Sequence, residues 1–536
     1  MPKTEDKSFS FAEAIRKAYR SDQEDEALEP IVKVDAKGRA LGRPETDDYA
    51  IFYDIRGERE VELTESLTDP GFNRFPIKEG LSLRFVTMIE YVPHLKVRVA
   101  FPPEVKIRNT LTEVLTRSGL KVAKISESEK AIHVAHFLNG KNDQVFPGEE
   151  RIVVPSPQGI LSYADTPEMS APGVSAAIIA KLKDVTCDVI IANYANVDVV
   201  GHIENKSAVL QAIEAVDREF GLVAKEARQE KATLIITSDH GTVEEWLYPD
   251  GAVNTGHTKN PVPFILVDFA GDGTEQWELR PEGELADIAP TILEIVGLEK
   301  PPEMTGSSLI LKRPGQNRRK LLIIILDGWG VREEKYGNLM AEAKTPSFHW
   351  LWENLPHATL KSSGEAVGMP PNTVGNSEAG HLHIGAGRRI FLDRVKIDRA
   401  IEDESFYSNP AFLWAMEGAK KESRALHLMG IVSHYSSHGT IKHLFALLRL
   451  AGKVGLGRVY VHAFIGRRGE KPESGAIYVE KVEEMCRSLA TGEVVTVMGR
   501  FWSLDREENW DRIEKAYRAI VYGEGTRVYP LKRAKK

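Results

Sequence analysis

Two cysteines, Cys187 and Cys486, in 536 residues leave no disulfide framework and fit a reducing compartment. No apolar run reaches the roughly 18 residues that a membrane-spanning helix needs. The start M-P-K-T-E-D-K-S is charged and has no apolar signal core, so cytoplasm is the expected compartment. Excess positive charge is missing too. The formal net charge is −8, so neither nucleic acid nor membrane is an expected partner. Internal repeats and low-complexity segments are absent. What remains is an ordinary globular composition, 42% hydrophobic and 28% charged, with length for about two to four domains.

Residues 8–23 have helical periodicity through Phe9, Ala12, Ile15 and Tyr19. The run D-Y-A-I-F-Y-D-I ends at Arg56, and strand-like segments follow at Leu83–Tyr91 and Val97–Phe101. P-P-E at 102–104 breaks the pattern and marks a domain boundary near residue 103. From there strands at Cys187–Ala195, Thr233–Ser238 and Pro263–Phe269 alternate with helices near 172–183, 206–228 and 286–297. Alternation of this kind predicts an α/β fold with a mostly parallel sheet covered on both faces. L-K-R-P-G-Q-N-R-R-K at 311–320 is basic and aperiodic, and reads as an exposed linker. Leu321–Leu326 is the most apolar short run. Strands at Ala425–Val432, Val459–Phe464 and Val494–Met498 and a helix at 511–522 complete the pattern.

Chemistry concentrates at the ends of buried-type strands, where open parallel sheets bind ligands. L-L-I-I-I-L ends at Asp327; D-V-I-I-A-N-Y-A-N-V ends at Asp198, with His202 four residues on; T-L-I-I-T-S ends at Asp239-His240. His257 precedes V-P-F-I-L-V. A single aspartate after a strand is usually a turn or cap residue. A convergent Asp/His set suits Mn²⁺ or Zn²⁺ better than Ca²⁺. Two such metals would clamp the oxygens of a phosphoryl transfer and lower the pKa of a coordinated hydroxyl. The nucleophile on offer is Ser377, in T-V-G-N-S-E-A-G-H-L-H-I-G-A-G-R. Its glycines Gly375, Gly380, Gly385 and Gly387 suggest close backbone approach to a ligand near a helix N-terminus. The bland alternative is a glycine-rich loop with a capping serine. A second set is arginine: Arg56 and Arg59, Arg467-Arg468, and Arg500 with Arg506 follow apolar runs and suit a small multiply anionic molecule. Lys130, His133 and His438 are further candidates, with Lys130 read in a turn leading into a strand.

L-D-G-W-G at 326–330, V-G-N-S-E-A-G-H at 374–381, A-N-V-D-V-V-G-H at 195–202, S-D-H-G at 238–241 and H-T-K-N-P-V-P-F at 257–264 resemble the cofactor-independent (2,3-bisphosphoglycerate-independent) phosphoglycerate mutases of the alkaline phosphatase superfamily. The resemblance runs from about Phe11 to Gly525 in rotated order, as in a circular permutant whose old ends meet in the linker 311–320. It implies an alkaline-phosphatase-like doubly wound domain over 104–390 and a smaller α/β phosphotransferase domain built from 8–103 and 391–530. It implies two divalent ions, Mn²⁺ first, with Zn²⁺, Co²⁺ or Mg²⁺ as substitutes, and no 2,3-bisphosphoglycerate. One ion would sit on Asp198, His202 and His257, the other on Asp327, Asp239, His240 and Ser377. Ser377 would carry the phosphoryl group between the 3- and 2-positions of glycerate. Arg56, Arg59, Arg468, Arg500, Arg506, His438 and Lys130 would hold the phosphoglycerate, and closure of the two domains would exclude water. A monomer is expected.

Departures from the family pattern fall in or near the smaller domain. His434 stands for a usual aspartate, Gly466 and Gly469 flank the arginine pair where D-G-R-D is usual, Asn254 replaces a common histidine and Asp54 a common asparagine. Gly469 removes the aspartate expected to handle the glycerate hydroxyl proton, with Glu470 adjacent. These changes leave open a related metal-dependent phosphatase or phosphomutase acting on another small phosphate ester. A non-catalytic scaffold on the same fold is the third reading.

Overall fold

The computed structural model describes residues 10–103, 107–269, 277–312, 320–434, 436–466 and 473–529. It divides into two compact units, one made of Met1–Pro103 with Asp393–Lys536 and one of Glu104–Leu392. Both are α/β.

The continuous unit holds an eight-stranded sheet in the order Glu282–Glu284, His357–Lys361, Val262–Asp268, Thr233–Thr237, Leu321–Leu326, Val189–Tyr194, Val122–Glu127, Glu149–Val154. Only Val262–Asp268 runs antiparallel to its neighbours. The period of two sorts the central strand. Leu322, Ile324 and Leu326 join a core with the helices Ala171–Lys183 and Lys206–Gln229. Leu321, Ile323 and Ile325 join the opposite core with Leu111–Arg117 and Ile288–Ile295. A sheet buried on both faces needs continuous apolar runs, which is why L-L-I-I-I-L stands out in the sequence. Thr233–Thr237, Leu321–Leu326, Val189–Tyr194 and Val122–Glu127 are consecutive and parallel, so their carboxyl ends share one edge.

The other unit interleaves the two ends of the chain. Its sheet runs Thr526–Val528, Ile31–Lys33, Glu493–Gly499, Val459–Ile465, Leu426–Ile431, Tyr49–Phe52, Arg84–Ile89, Arg98–Phe101. Ile31–Lys33 is antiparallel to Glu493–Gly499, and the remaining pairs are parallel.

Several elements differ from the sequence reading. The first helix is Phe11–Tyr19, shorter than 8–23, because the Ser10 hydroxyl caps it by accepting from the Ala12 N–H. Leu311 and Lys312 end a strand, Ile310–Lys312, paired with Glu278–Leu279, and residues 313–319 of the expected linker lie outside the described residues. Lys130 follows a strand instead of leading into one: Val122–Glu127 precedes the single turn Ser128–Lys130. V-A-K-I-S-E hides this strand from a hydropathy reading, because Lys124 is buried and satisfied by Asn139 and Glu149.

Candidate active site

Ser377 opens the helix Ser377–Ala386, and its neighbour Asn376 is the capping residue, accepting from the Ala379 N–H at 2.8 Å. That division of labour excludes the capping-serine alternative and leaves the Ser377 hydroxyl for other partners. The glycines serve helix packing more than ligand approach. A Cβ on Gly380 would stand 2.6 Å from the Asp239 Cβ, so only glycine lets this helix lie directly against the aspartate.

Around Ser377 Oγ the partners converge. Lys130 Nζ donates to it at 2.7 Å. Its own hydroxyl proton can go to His240 Nε2 at 3.0 Å or Asp327 Oδ1 at 3.2 Å. Lys130 also donates to Asp198 Oδ2 at 2.7 Å and Asp327 Oδ1 at 2.8 Å. Burial would lower the Lys130 ammonium, but Asp327, Asp198 and Asp239 raise it above its ordinary value. Burial would raise Asp198, but Lys130, His202 and His257 hold it well below the usual carboxylate range. Asp239 is likewise held down, against burial, by His240 and His381. Burial and the Asp239 charge push Asp327 up.

The imidazoles are oriented by carbonyls. A carbonyl only accepts, so each Nδ1 bonded to one carries the proton. His202 Nδ1 donates to the Thr255 carbonyl at 2.7 Å, His257 Nδ1 to Gly375 at 2.8 Å and His240 Nδ1 to Gly241 at 3.2 Å. All three Nε2 lone pairs therefore face inward. His202 Nε2 and His257 Nε2 are 3.2 Å apart, and they lie 3.2 Å and 3.1 Å from Asp198 Oδ1. His240 Nε2 lies 3.6 Å from Asp198 Oδ1, 3.5 Å from Asp327 Oδ1 and 3.6 Å from Asp239 Oδ2. Lone pairs and carboxylates facing one another at such distances need protons or cations between them. Asp198 accordingly raises His202, and raises His257 against the opposing effect of burial. Tied Nδ1 atoms, free Nε2 atoms and nearby carboxylates are the donor set of a mixed nitrogen–oxygen divalent metal centre. Ligating atoms of Asp198, His240 and His257 lie within 4.8 Å of one another, as do those of Asp239, Asp327 and His381.

Two residues here were missed by the sequence reading. His381 Nδ1 donates to the Ser377 carbonyl at 2.9 Å and stands 3.2 Å from Asp239 Oδ2. Asn193 Nδ2 donates to Asp327 Oδ2 at 2.8 Å and reaches His381 Nε2 at 3.1 Å. His381 is four residues beyond Ser377 on one helix, the same spacing that joins Asp198 to His202, so its signal was present. Asn193 is inside a strand and carries none. His133 lies beside His381, the two rings tilted with centroids 5.7 Å apart, and burial, with His381 and Lys130, lowers it to about 3, so it is neutral.

Four of the expected substrate arginines gather in the unit built from both chain ends. Arg56 and Arg506 share Glu58, Arg500 Nη2 is 2.8 Å from Glu26 Oε1, and Arg59 Nη1 donates to the Leu504 carbonyl at 3.1 Å. Arg59 is pushed below its ordinary value by burial and by Arg506, Arg56 and Arg500, so the four guanidinium groups lie in one another's field. Arg468 and Gly469 lie outside the described residues. His438 is fully buried, with Nδ1 2.7 Å from Glu60 Oε1.

Among the described residues no helix is long and apolar enough to cross a membrane. Residues 76–300 match the metalloenzyme superfamily, and residues 2–93 with 397–535 match the BPG-independent PGAM N-terminus. A 2,3-bisphosphoglycerate-independent phosphoglycerate mutase of Thermomicrobium roseum is 44% identical over 302 residues, 56% of this chain and 57% of that protein. One from Moorella thermoacetica is 41% identical over 304 residues, 56% of this chain and 58% of its own length. The chain thus spans a little over half the length of these relatives in the matched segment. A phosphoglycerate mutase structure from Leishmania mexicana, determined at low cobalt concentration, aligns with a TM-score of 0.36 and 26% identity, over 52% of this chain and 53% of that one.

Proposed function

We propose that this chain, matched by the metalloenzyme superfamily and by the BPG-independent PGAM N-terminus, is a cofactor-independent phosphoglycerate mutase that interconverts 3-phosphoglycerate and 2-phosphoglycerate through a phosphoserine at Ser377, without 2,3-bisphosphoglycerate. The observation that carries this reading is the Ser377 hydroxyl, free of capping duty and within 3.2 Å of an ammonium, an imidazole nitrogen and a carboxylate. Divalent metal belongs to this superfamily domain. We assign Mn²⁺ by preference, on Asp198, His202 and His257 and on Asp327, Asp239, His240 and Ser377, with His381 and Asn193 orienting the second set. Bound there, the metal supplies positive charge that lowers the pKa of the serine hydroxyl and offsets charge on the phosphoryl group.

The chain's own groups account for the rest. His240 Nε2 and Asp327 Oδ1 are placed to take the Ser377 proton. Ser377 Oγ bonds to phosphorus as the bond from phosphorus to the 3-oxygen breaks, and that oxygen regains a proton. Lys130 neutralises the new phosphoserine. Glycerate, held by the expected set Arg56, Arg59, Arg468, Arg500, Arg506 and His438, turns. Its 2-oxygen then bonds to phosphorus as the bond from phosphorus to Ser377 Oγ breaks, and the proton lost by the 2-hydroxyl is matched by the one Ser377 Oγ regains. The match of the family's N-terminal domain to both ends of this chain supports a permuted order. A monomer acting in the cytoplasm fits the same reading.

A second reading is a phosphatase or phosphomutase on another small ester, favoured by Gly469 and His434 where aspartates are usual. ³¹P NMR of the Mn²⁺-loaded protein with 3-phosphoglycerate separates them. A 2-phosphoglycerate signal is expected. Inorganic phosphate alone would mean that water collects the group, and an unchanged spectrum would overturn the mutase assignment.

A further inference from the structure

One buried carboxylate outside the ligand set touches three of the loops that carry it. Glu244 lies in the short turn Val243–Glu245 and is 0% exposed. Its Oε2 accepts the Thr242 N–H at 2.9 Å, two residues beyond His240. Its Oε1 accepts from the Thr258 hydroxyl, next in sequence to His257, and from Asn260 Nδ2 at 3.0 Å. The loop after Asp327 lies directly on the same group: a Cβ on Gly330, or on Gly241, would overlap the Glu244 carboxyl atoms. The motifs L-D-G-W-G, S-D-H-G and H-T-K-N-P-V-P-F therefore meet at one side chain, which the proposed chemistry leaves unused.

Two of the loops it ties bring one imidazole each. His240 and His257 are stacked, with ring centroids 3.9 Å apart and planes 23° from parallel. Each ring is assigned to a different ion, and two dications repel, so the protein has to impose the spacing of the rings. The Gly241 carbonyl accepts both the His240 Nδ1–H at 3.2 Å and the Thr258 N–H at 3.0 Å. Those bonds join the two loops at one point, about which they could still pivot. Glu244 supplies a second point, at Thr242 on one loop and at Thr258 and Asn260 on the other. Two points of attachment fix an angle that one leaves free.

We propose that Glu244 is a positioning residue that fixes the separation of His240 and His257, and through them the separation of the two ions. The inference rests on the metal assignment at Ser377 made above. Glu244 is not itself a ligand, since both its oxygens are occupied by Thr242, Thr258 and Asn260. A pair of ions clamps the entering and leaving oxygens of a phosphoryl transfer only at the right spacing, which is what this side chain sets. A carboxylate suits the task because it accepts on both oxygens at once. Glutamine has the same shape but one acceptor oxygen, so Glu244→Gln turns an NH₂ group toward the Thr242 N–H or toward Asn260 and Thr258.

Electron paramagnetic resonance of the full chain titrated with Mn²⁺ tests this, because free ions, single bound ions and a spin-coupled pair give different spectra. Far-UV circular dichroism verifies that each variant is folded. The expected result for Glu244→Gln is a second Mn²⁺ bound about 10–100-fold more weakly than in the wild type, and at saturation a coupled spectrum that differs from the wild-type one. Thr258→Val, which leaves the bonds from Thr242 and Asn260 in place, is expected to shift both readings the same way by less, and it carries the test if Glu244→Gln does not fold. A purely structural role would lower the melting temperature and leave both readings alone. Wild-type affinity or a wild-type coupled spectrum in the folded variant would therefore overturn the positioning role while the metal assignment stands. A wild-type chain that binds fewer than two ions would overturn the metal assignment and this inference with it.

Discussion

Replacing Lys130 by methionine gives the sharpest test of the electrostatics around Ser377. The side chain is 5% exposed, and its ammonium bonds Asp198 at 2.7 Å and Asp327 at 2.8 Å. Methionine preserves the stem and removes the charge. In chelator, Asp198 and Asp327 lose their ion pair with Lys130, and Asp239 loses its field, while all three remain buried. Breaking a buried ion pair from one side costs about 3–5 kcal/mol. The unit Glu104–Leu392 has about 290 residues, so its unfolding entropy is about 0.6 kcal/mol/K and the loss corresponds to a melting temperature lower by about 5–8 °C. Saturating Mn²⁺ should shrink the difference, since a divalent cation compensates the same carboxylates. Melting curves of both proteins, in EDTA and in Mn²⁺, decide the matter. Equal melting in EDTA, or the same deficit in both conditions, would refute the view that Lys130 and metal compensate the same charges.

Three further outcomes follow from the geometry. Asn193→Ala removes the bond that orients Asp327, and titration should show metal affinity at the Ser377 site weaker by about 10–100-fold. Gly385→Ala would place a Cβ 1.9 Å from the Leu138 carbonyl oxygen, and circular dichroism melting should report a loss of about 3 kcal/mol, with Ser377 displaced along with its helix. His427 and His462 are buried side by side, 3.0 Å apart, and burial lowers both below the ordinary 6.5. The unfolded chain therefore takes up protons first, so their stability contribution is complete above about pH 6.5 and falls on acidification, by up to about 1.4 kcal/mol per pH unit for each histidine. Urea midpoints between about pH 7.5 and 5.5 should show this slope, and His462→Gln should flatten it; a wild-type midpoint that does not fall would refute it.

The legible part of this molecule is the part where one physical rule dominates. Strands buried on both faces must be apolar throughout, so Leu321–Leu326, Val189–Tyr194 and Thr233–Thr237 announced themselves, and the aspartates ending them marked the site edge. Ser377 was found through its glycine-rich surroundings, although Gly380 proved to serve contact with Asp239. Elements whose rule is local compensation stayed hidden. Val122–Glu127 looks polar because Lys124 has buried partners that are distant in sequence. Asn193 reads as a strand residue, and its hold on Asp327 spans 134 positions. The pairing of Glu60 with His438 spans 378 and leaves no periodic trace.

The interleaved sheet has a consequence for how this chain is made. Thr526–Val528 pairs with Ile31–Lys33, and Leu426–Ile431 pairs with Tyr49–Phe52. A ribosome delivers Ile31–Lys33 and Tyr49–Phe52 early and their partners Leu426–Ile431 and Thr526–Val528 late. Between the appearance of Leu392 and the final residue, at about 5–20 residues per second, roughly 7–30 s pass. Throughout that interval the middle unit has all its strands and can fold, while Ile31–Lys33 lacks Thr526–Val528 and, until Leu426–Ile431 is made, Tyr49–Phe52 offers a bare apolar edge to any other nascent chain. Synthesis order thus makes the first hundred residues the segment most in need of a chaperone, and slowing translation beyond residue 392 should lower the soluble yield.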